Sequence, residues 1–203
     1  MAAPCFIIIH GWQNNRPEGH WQHRLADALT AAGANVQYPQ FPNPAFPMPD
    51  EWLDTLDSVL AAAPGPDVTV VAHSLGSVLW MLAASRPQGV RQVQRVLLVA
   101  PPGREALMRQ PELRRFSDFA PMPGQIARSS AELPLFVGGD QDPWCPNTVA
   151  REYAVGFDCP SVVIPGEGHF ALEDGYGPWK SIREWCLNGG RGEIVANAHG
   201  AAD

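Results

Sequence analysis

No apolar run in the chain is long enough to cross a membrane; the first, Phe6-Ile7-Ile8-Ile9, breaks at His10-Gly11, and no basic residue precedes it. Neither a secretory leader nor a membrane span is expected from such a start. Positive charge is also scarce: 14 Lys and Arg stand against 21 Asp and Glu, for a net charge of −7. Without a basic stripe to neutralise phosphates, nucleic acid and anionic membranes are excluded as expected partners. The four cysteines (Cys5, Cys145, Cys159, Cys186) show no C-x-x-C spacing, so neither a zinc knuckle nor a disulfide framework is indicated. Reduced thiols and a cytoplasmic protein are the expectation. Neither a P-loop nor a G-x-G-x-x-G fingerprint is present. The six histidines do not fall at ligand spacings, and the nearest approach, His20 and His23, reads as a pair on a helix surface. No metal and no cofactor are expected.

Proline, by contrast, is abundant: many of the 21 fall in 39–49 and 101–134, which marks those stretches as long, rigid connections. With 203 residues and 45% apolar content, the chain suits one globular α/β domain. That domain is expected over 1–188. From Asn188 onward the residues are glycine-rich and then small and polar, so 189–203 reads as a tail without fixed structure.

Strands and helices are predicted to alternate. Phe6–Ile9 is a strand buried on both faces, and Trp21, Leu25, Ala28, Leu29 and Ala32 mark a helix ended by Gly33. Asn35–Tyr38 is a weak strand, and Asp50 is placed to cap a helix running to Pro64. Val68 to His73 is a strand, and Leu75 to Ser85 is a helix apolar nearly all round. Arg95–Ala100, Leu133–Val137 and Ser161–Ile164 are further strands, with helices over Pro146–Gly156 and Trp179–Leu187. The pattern predicts a mostly parallel sheet of about six strands with helices on both faces and no inserted cap, a three-layer α/β/α fold.

Val-Thr-Val-Val-Ala-His-Ser-Leu-Gly, residues 68–76, has the form of a nucleophile elbow, in which a strand delivers Ser74 to a sharp turn and a helix starts behind it. Ala72 replaces the first glycine of G-x-S-x-G. In an open parallel sheet, functional groups gather beyond the carboxyl ends of the strands. Those ends supply Ser74, then Asp140 and Asp142, then His169, the Ser–Asp–His chain order of α/β-hydrolases. A serine hydroxyl needs an imidazole to take its proton, and the imidazole needs a carboxylate to fix its tautomer. Asp142 suits that role because Pro143 fixes the loop beyond it; Asp140 is the competitor, with bracing of the turn as its other role. The His10-Gly11 pair resembles the start of an oxyanion loop, in which the N–H of Trp12 joins that of Leu75. His73 precedes the nucleophile and is expected to pack beneath it. Trp12, Trp144 and Phe170 flank the three residues and are candidate walls of an apolar pocket.

Several of these segments carry a closer likeness. His10-Gly11-Trp12, Gly19-His20-Trp21-Gln22, Ala72-His73-Ser74-Leu75-Gly76, Asp142-Pro143-Trp144-Cys145 and Gly168-His169 resemble the small serine hydrolases related to retinoblastoma-binding protein 9 and to the bacterial YdeN proteins. The likeness runs to about Leu187. It implies Ser74 as nucleophile, Asp142 as acid and His169 as base, on a capless hydrolase sheet that cleaves small esters or amides. The first loop, 11–16, is less glycine-rich than the family's pattern. A binding protein on a hydrolase scaffold, or a thioesterase using the same three residues, are the alternative readings.

Overall fold

The computed structural model describes residues 3–118 and 124–197. Six strands, β1 (Cys5–Ile9), β2 (Asn35–Gln37), β3 (Val68–His73), β4 (Arg95–Val99), β5 (Leu135–Gly139) and β6 (Ser161–Ile164), form one sheet in the order β2-β1-β3-β4-β5-β6. Every neighbouring pair is parallel. Side-chain alternation divides the core. Ile7, Ile9, Val70, Ala72, Val96 and Leu98 face one layer, while Phe6, Ile8, Val71, Leu97, Val99 and Val137 face the other. The first layer is built on helices α2 (Pro49–Ala62), α3 (Leu75–Ser85) and α5 (Asn147–Phe157), and the second on α1 (Trp21–Ala31) and α6 (Lys180–Leu187). Both faces are thus covered, as an all-parallel sheet requires. No described helix is long and apolar enough to span a bilayer.

The chain builds outward from β1 to β2 and then returns to place β3 on the other side of β1. Such a reversal opens a crevice between the loops leaving β1 and β3 at their carboxyl ends. Helix α3 follows β3 at once and is buried on nearly every side, as its all-round apolar sequence predicts.

Four expectations are corrected. Helix α2 starts at Pro49 with Met48 at its N-cap, and Asp50 lies in the first turn rather than capping it; proline at the first helical position already has the required φ. Strand β5 starts at Leu135, because Pro134 has no N–H to give the ladder. The proline-rich stretch after β4 holds a short helix, α4 (Arg104–Arg109), in place of an uninterrupted connection.

The fourth correction concerns the tail. Residues 191–193, 195 and 196 are exposed, but Ile194 is only 4% exposed and anchors the segment in the α1/α6 layer. The Val195 carbonyl accepts from Trp179 Nε1 at 2.8 Å and from Ser181 Oγ at 3.0 Å. The Val195 N–H returns a bond to Ser181 Oγ and the Asn197 N–H reaches the Tyr176 hydroxyl, so one isoleucine and four hydrogen bonds hold a segment that lacks any periodic apolar face. The rest of the expected tail, 198–203, lies outside the described residues. Ile194→Ala should therefore cost about 2 kcal/mol in urea unfolding, the low end for truncating a buried isoleucine. A change under ~0.5 kcal/mol, typical of a surface position, would show the segment to be unanchored.

Candidate active site

Strand β3 ends at His73, and Ser74 turns the chain with φ 54° and ψ −124°. A non-glycine residue holds such a conformation only where its surroundings enforce it. Here the enforcement comes from close packing of α3 against β1. A Cβ on Gly76 would stand 2.6 Å from the Ile9 carbonyl oxygen and 2.7 Å from that of His10, so only glycine allows the approach. Gly11 passes equally close on the other side, where a Cβ would lie 2.8 Å from Ser74 Cβ. Ala72 in place of the motif's first glycine causes no conflict, because its methyl group is buried in the α2/α3 layer.

Ser74 Oγ lies 2.8 Å from His169 Nε2, and His169 Nδ1 lies 2.8 Å from Asp142 Oδ2. Nδ1 faces a carboxylate and so donates, which leaves the Nε2 lone pair toward the serine hydroxyl. The other Asp142 oxygen accepts the Trp144 N–H at 2.8 Å, and the Asp142 side chain is fully buried while that of His169 is 16% exposed. Asp140 has the alternative role anticipated for it, accepting a backbone N–H: its Oδ1 takes the Gly166 N–H at 2.7 Å and ties the turn leaving β5 to the turn leaving β6. The three residues picked from separate strand ends thus form one hydrogen-bonded line.

Three further histidines surround that line, and each is bonded to backbone. His10 donates from Nδ1 to the Gly11 carbonyl at 2.8 Å and accepts the Phe41 N–H at Nε2, with its ring edge-on to Phe41 and Trp52. His20 caps α1 by accepting the Gln22 N–H at 3.2 Å. It is buried against Trp21 and His73, which corrects its placement on a helix surface. His73 donates from Nε2 to the His169 carbonyl at 2.8 Å. Burial lowers His10 and His20 from the ordinary 6.5 to about 4. Burial and then the neighbouring His169 and His20 hold His73 well below its usual value. All three are neutral at pH 7.

A cavity of about 430 Å³ opens over Ser74. Trp12, Asn15, His20, Leu113, Trp144 and Glu173 are among the residues that line it. The Trp12 and Trp144 rings meet edge to face at 5.9 Å, so both serve as walls as expected. Phe170 does not. It is fully buried beneath the site, stacked on Trp179 at 4.8 Å and edge-on to Tyr176 at 5.0 Å. Its backbone φ of 56° turns the chain just after His169 and sends the side chain into the core. Leu113 and Glu173 were not foreseen; the first sits in a proline-rich connection, and the second is an ordinary surface acid by sequence. Cys145, next to the tryptophan wall, is buried, and that burial pushes its thiol far above the usual range, so it offers no nucleophile. Among the described residues, no group of three or more His, Cys, Asp or Glu side chains is placed to hold a metal ion.

A family model described as serine hydrolase matches residues 6–187. YdeN of Bacillus subtilis (strain 168) is 26% identical over 171 residues, covering 83% of this chain and 87% of that protein. The crystal structure of the B. subtilis ydeN gene product superposes with a TM-score of 0.81 at 22% identity, over 92% of this chain and 98% of that one. Est1E from Butyrivibrio proteoclasticus gives a TM-score of 0.67 at 19% identity, over 92% and 88% of the two chains. The structural likenesses establish a shared α/β-hydrolase fold.

The neutral histidines carry a consequence for stability. Each takes up a proton near pH 6.5 when unfolded, but His10 and His20 do so only near 4 when folded. The unfolded state therefore gains protons first as pH falls, and stability is lost through that window by up to ~1.4 kcal/mol per pH unit for each group. Urea unfolding at pH 7, 6 and 5 should show this decline. His20→Asn, which keeps a capping acceptor but has no titrating ring, should make the slope shallower; an unchanged slope would exclude His20 as a contributor.

Proposed function

The chain belongs to the serine hydrolase family, and from that premise we propose that it cleaves small carboxylic esters or amides through an acyl-enzyme intermediate. Ser74 is the nucleophile, His169 the general base and then acid, and Asp142 the carboxylate that orients His169. The observation that carries this reading is the unbroken line Ser74 Oγ, His169 Nε2, His169 Nδ1, Asp142 Oδ2, with both gaps at 2.8 Å. The Ser74 oxygen attacks the carbonyl carbon while its proton passes to His169 Nε2. Collapse of the tetrahedral intermediate breaks the bond to the leaving group, which takes that proton from Nε2. Water then attacks the acyl-serine, gives a proton to His169, and the acid departs as Ser74 Oγ recovers it.

The developing oxyanion needs at least one donor fixed in advance. Leu75 N–H, in the first turn of α3, has no acceptor within its helix and is assigned as one. Trp12 N–H is assigned as the second. Its peptide unit includes the Gly11 carbonyl, which His10 holds at 2.8 Å. In a trans peptide the N–H points opposite to the carbonyl, so a bond from His10 on one side aims the Trp12 N–H to the other. The scheme calls for no cofactor, and its partner is a small-molecule substrate.

A fluorophosphonate probe should label the protein and fail to label Ser74→Ala. His169→Ala and Asp142→Asn should each lower kcat by ~10³–10⁴-fold while the thermal transition remains cooperative. Asp140→Asn should cost far less activity; a loss equal to that of Asp142→Asn would move the acid to Asp140.

A further inference from the structure

The cavity has two unlike halves, and the position of His169 determines which part of a substrate each receives. Trp12, Leu113 and Trp144 belong to the layer of α2 and α3. His73 lies on the opposite face of the sheet, against Trp21 of α1, and it holds the His169 carbonyl from below. The His169 ring packs on that of His73 at 5.1 Å, with His20 a further 5.5 Å along. His169 therefore stands over the α1 face; Trp144, 6.2 Å from its ring, marks the boundary, and Trp12 and Leu113 belong to the α3 face beyond it.

A general acid must reach the leaving atom, so the leaving group lies toward His169 and the acyl group away from it. The acyl half is apolar and closed. Trp144 meets Trp12, whose indole N–H is tied to the Ala45 carbonyl at 3.0 Å, so the wall does not give way for a long chain. The leaving-group half is lined by His20, whose ring lies beside His73, and by Glu173, whose neighbour Leu172 reaches Gly19 next to His20. Among the described residues, Glu173 is the one formally charged residue lining the cavity, because burial keeps His20 neutral. No lysine or arginine is among those lining residues: Arg16 bonds the Tyr38 carbonyl and Gln40, Arg114 the Met108 carbonyl, and Arg115 the Met48 sulfur. An anionic leaving group would find a carboxylate and no cation to balance it.

We propose that the cleft is polarised: the Trp12–Leu113–Trp144 half takes a flat or short branched apolar acyl group. The His20–Glu173 half takes a polar alcohol or amine leaving group that is neutral or positively charged. This rests on the assignment of Ser74 as nucleophile and adds the substrate's orientation and charge.

The test uses phenylacetate esters of three alcohols that differ in charge: 2-(trimethylammonio)ethanol, ethylene glycol and glycolate. For the full-length protein, kcat/KM should be roughly tenfold or more higher for the cationic ester than for the anionic one, with the neutral ester between them. The cation-to-anion ratio should contract in 1 M NaCl and should fall in Glu173→Gln and further in Glu173→Lys. Trp144→Ala should leave that ratio alone and instead reduce the preference for phenylacetyl over acetyl. Each variant is read as a ratio between its own substrates, so a change in overall rate or stability cancels. Labelling by a neutral fluorophosphonate, run in parallel, separates the two levels of the argument. No labelling would overturn the serine-hydrolase reading and this one together. Labelling with equal rates on the three esters, or with a ratio that ignores Glu173, would overturn this one alone.

Discussion

The site depends on the backbone of Ser74, held at φ 54° and ψ −124°. A conformation of this kind costs on the order of 1–3 kcal/mol and persists only when the fold over-determines it. Helix α3 supplies that constraint by pressing its first turn onto β1 so closely that Gly76 has no room for a Cβ. The same pressure brings Gly11 against Ser74 and so places the first loop beside the Ser74 side chain. It also explains why α3 is apolar nearly all round: a helix that starts within van der Waals contact of the central strands has no solvent side. Ala72 is permitted because the constraint falls on Gly11 and Gly76, while its own methyl points into the core.

Four histidines lie in or beside the site, and of these His169 is the one that bridges Ser74 and Asp142. His10, His20 and His73 each spend a ring nitrogen on a backbone group: Gly11 and Phe41, Gln22, and His169 respectively. Burial keeps them uncharged, so they act as rigid spacers with one donor and one acceptor. Asp142, the carboxylate bonded to His169, also accepts the Trp144 N–H. The tryptophan wall of the cavity and the partner of His169 are thus joined through one short loop.

Much of this was legible from sequence. Short β-branched runs bounded by glycine and proline give strands, and their carboxyl ends name Ser74, Asp142 and His169 because parallel sheets gather function there. The core division follows from strict alternation along β1, β3 and β4. What sequence did not reveal depends on long-range contact. Nothing local tells that Ile194 finds a gap beside Trp179 and Ser181, nor that His20 points inward from its cap. Phe170 misleads for a related reason. Adjacency to His169 suggests the pocket, but a left-handed turn at that residue reverses the side chain. Glu173 carried no signal at all, since its place in the cavity lining depends on how the segment after β6 folds over the site.

Phe170 also shows how the strain of the site is met. Positive φ at non-glycine residues occurs at Gln13, Ser74, Ala100 and Phe170, in the segments that leave β1, β3, β4 and β6. Parallel strands that must all release their chains around one open crevice force sharp departures, and each departure stores strain. Ser74 is compensated by the packing of α3. Phe170 is compensated by aromatic burial, with Tyr176 and Trp179 enclosing its ring and the Val195 carbonyl pinning the Trp179 indole in turn. Burying one phenylalanine contributes about 1.5–3 kcal/mol, comparable to the cost of a single disfavoured backbone conformation. A residue displaced from the pocket thereby fixes the turn that presents His169. The C-terminal segment, far from the chemistry along the chain, is the outer support of the same cluster.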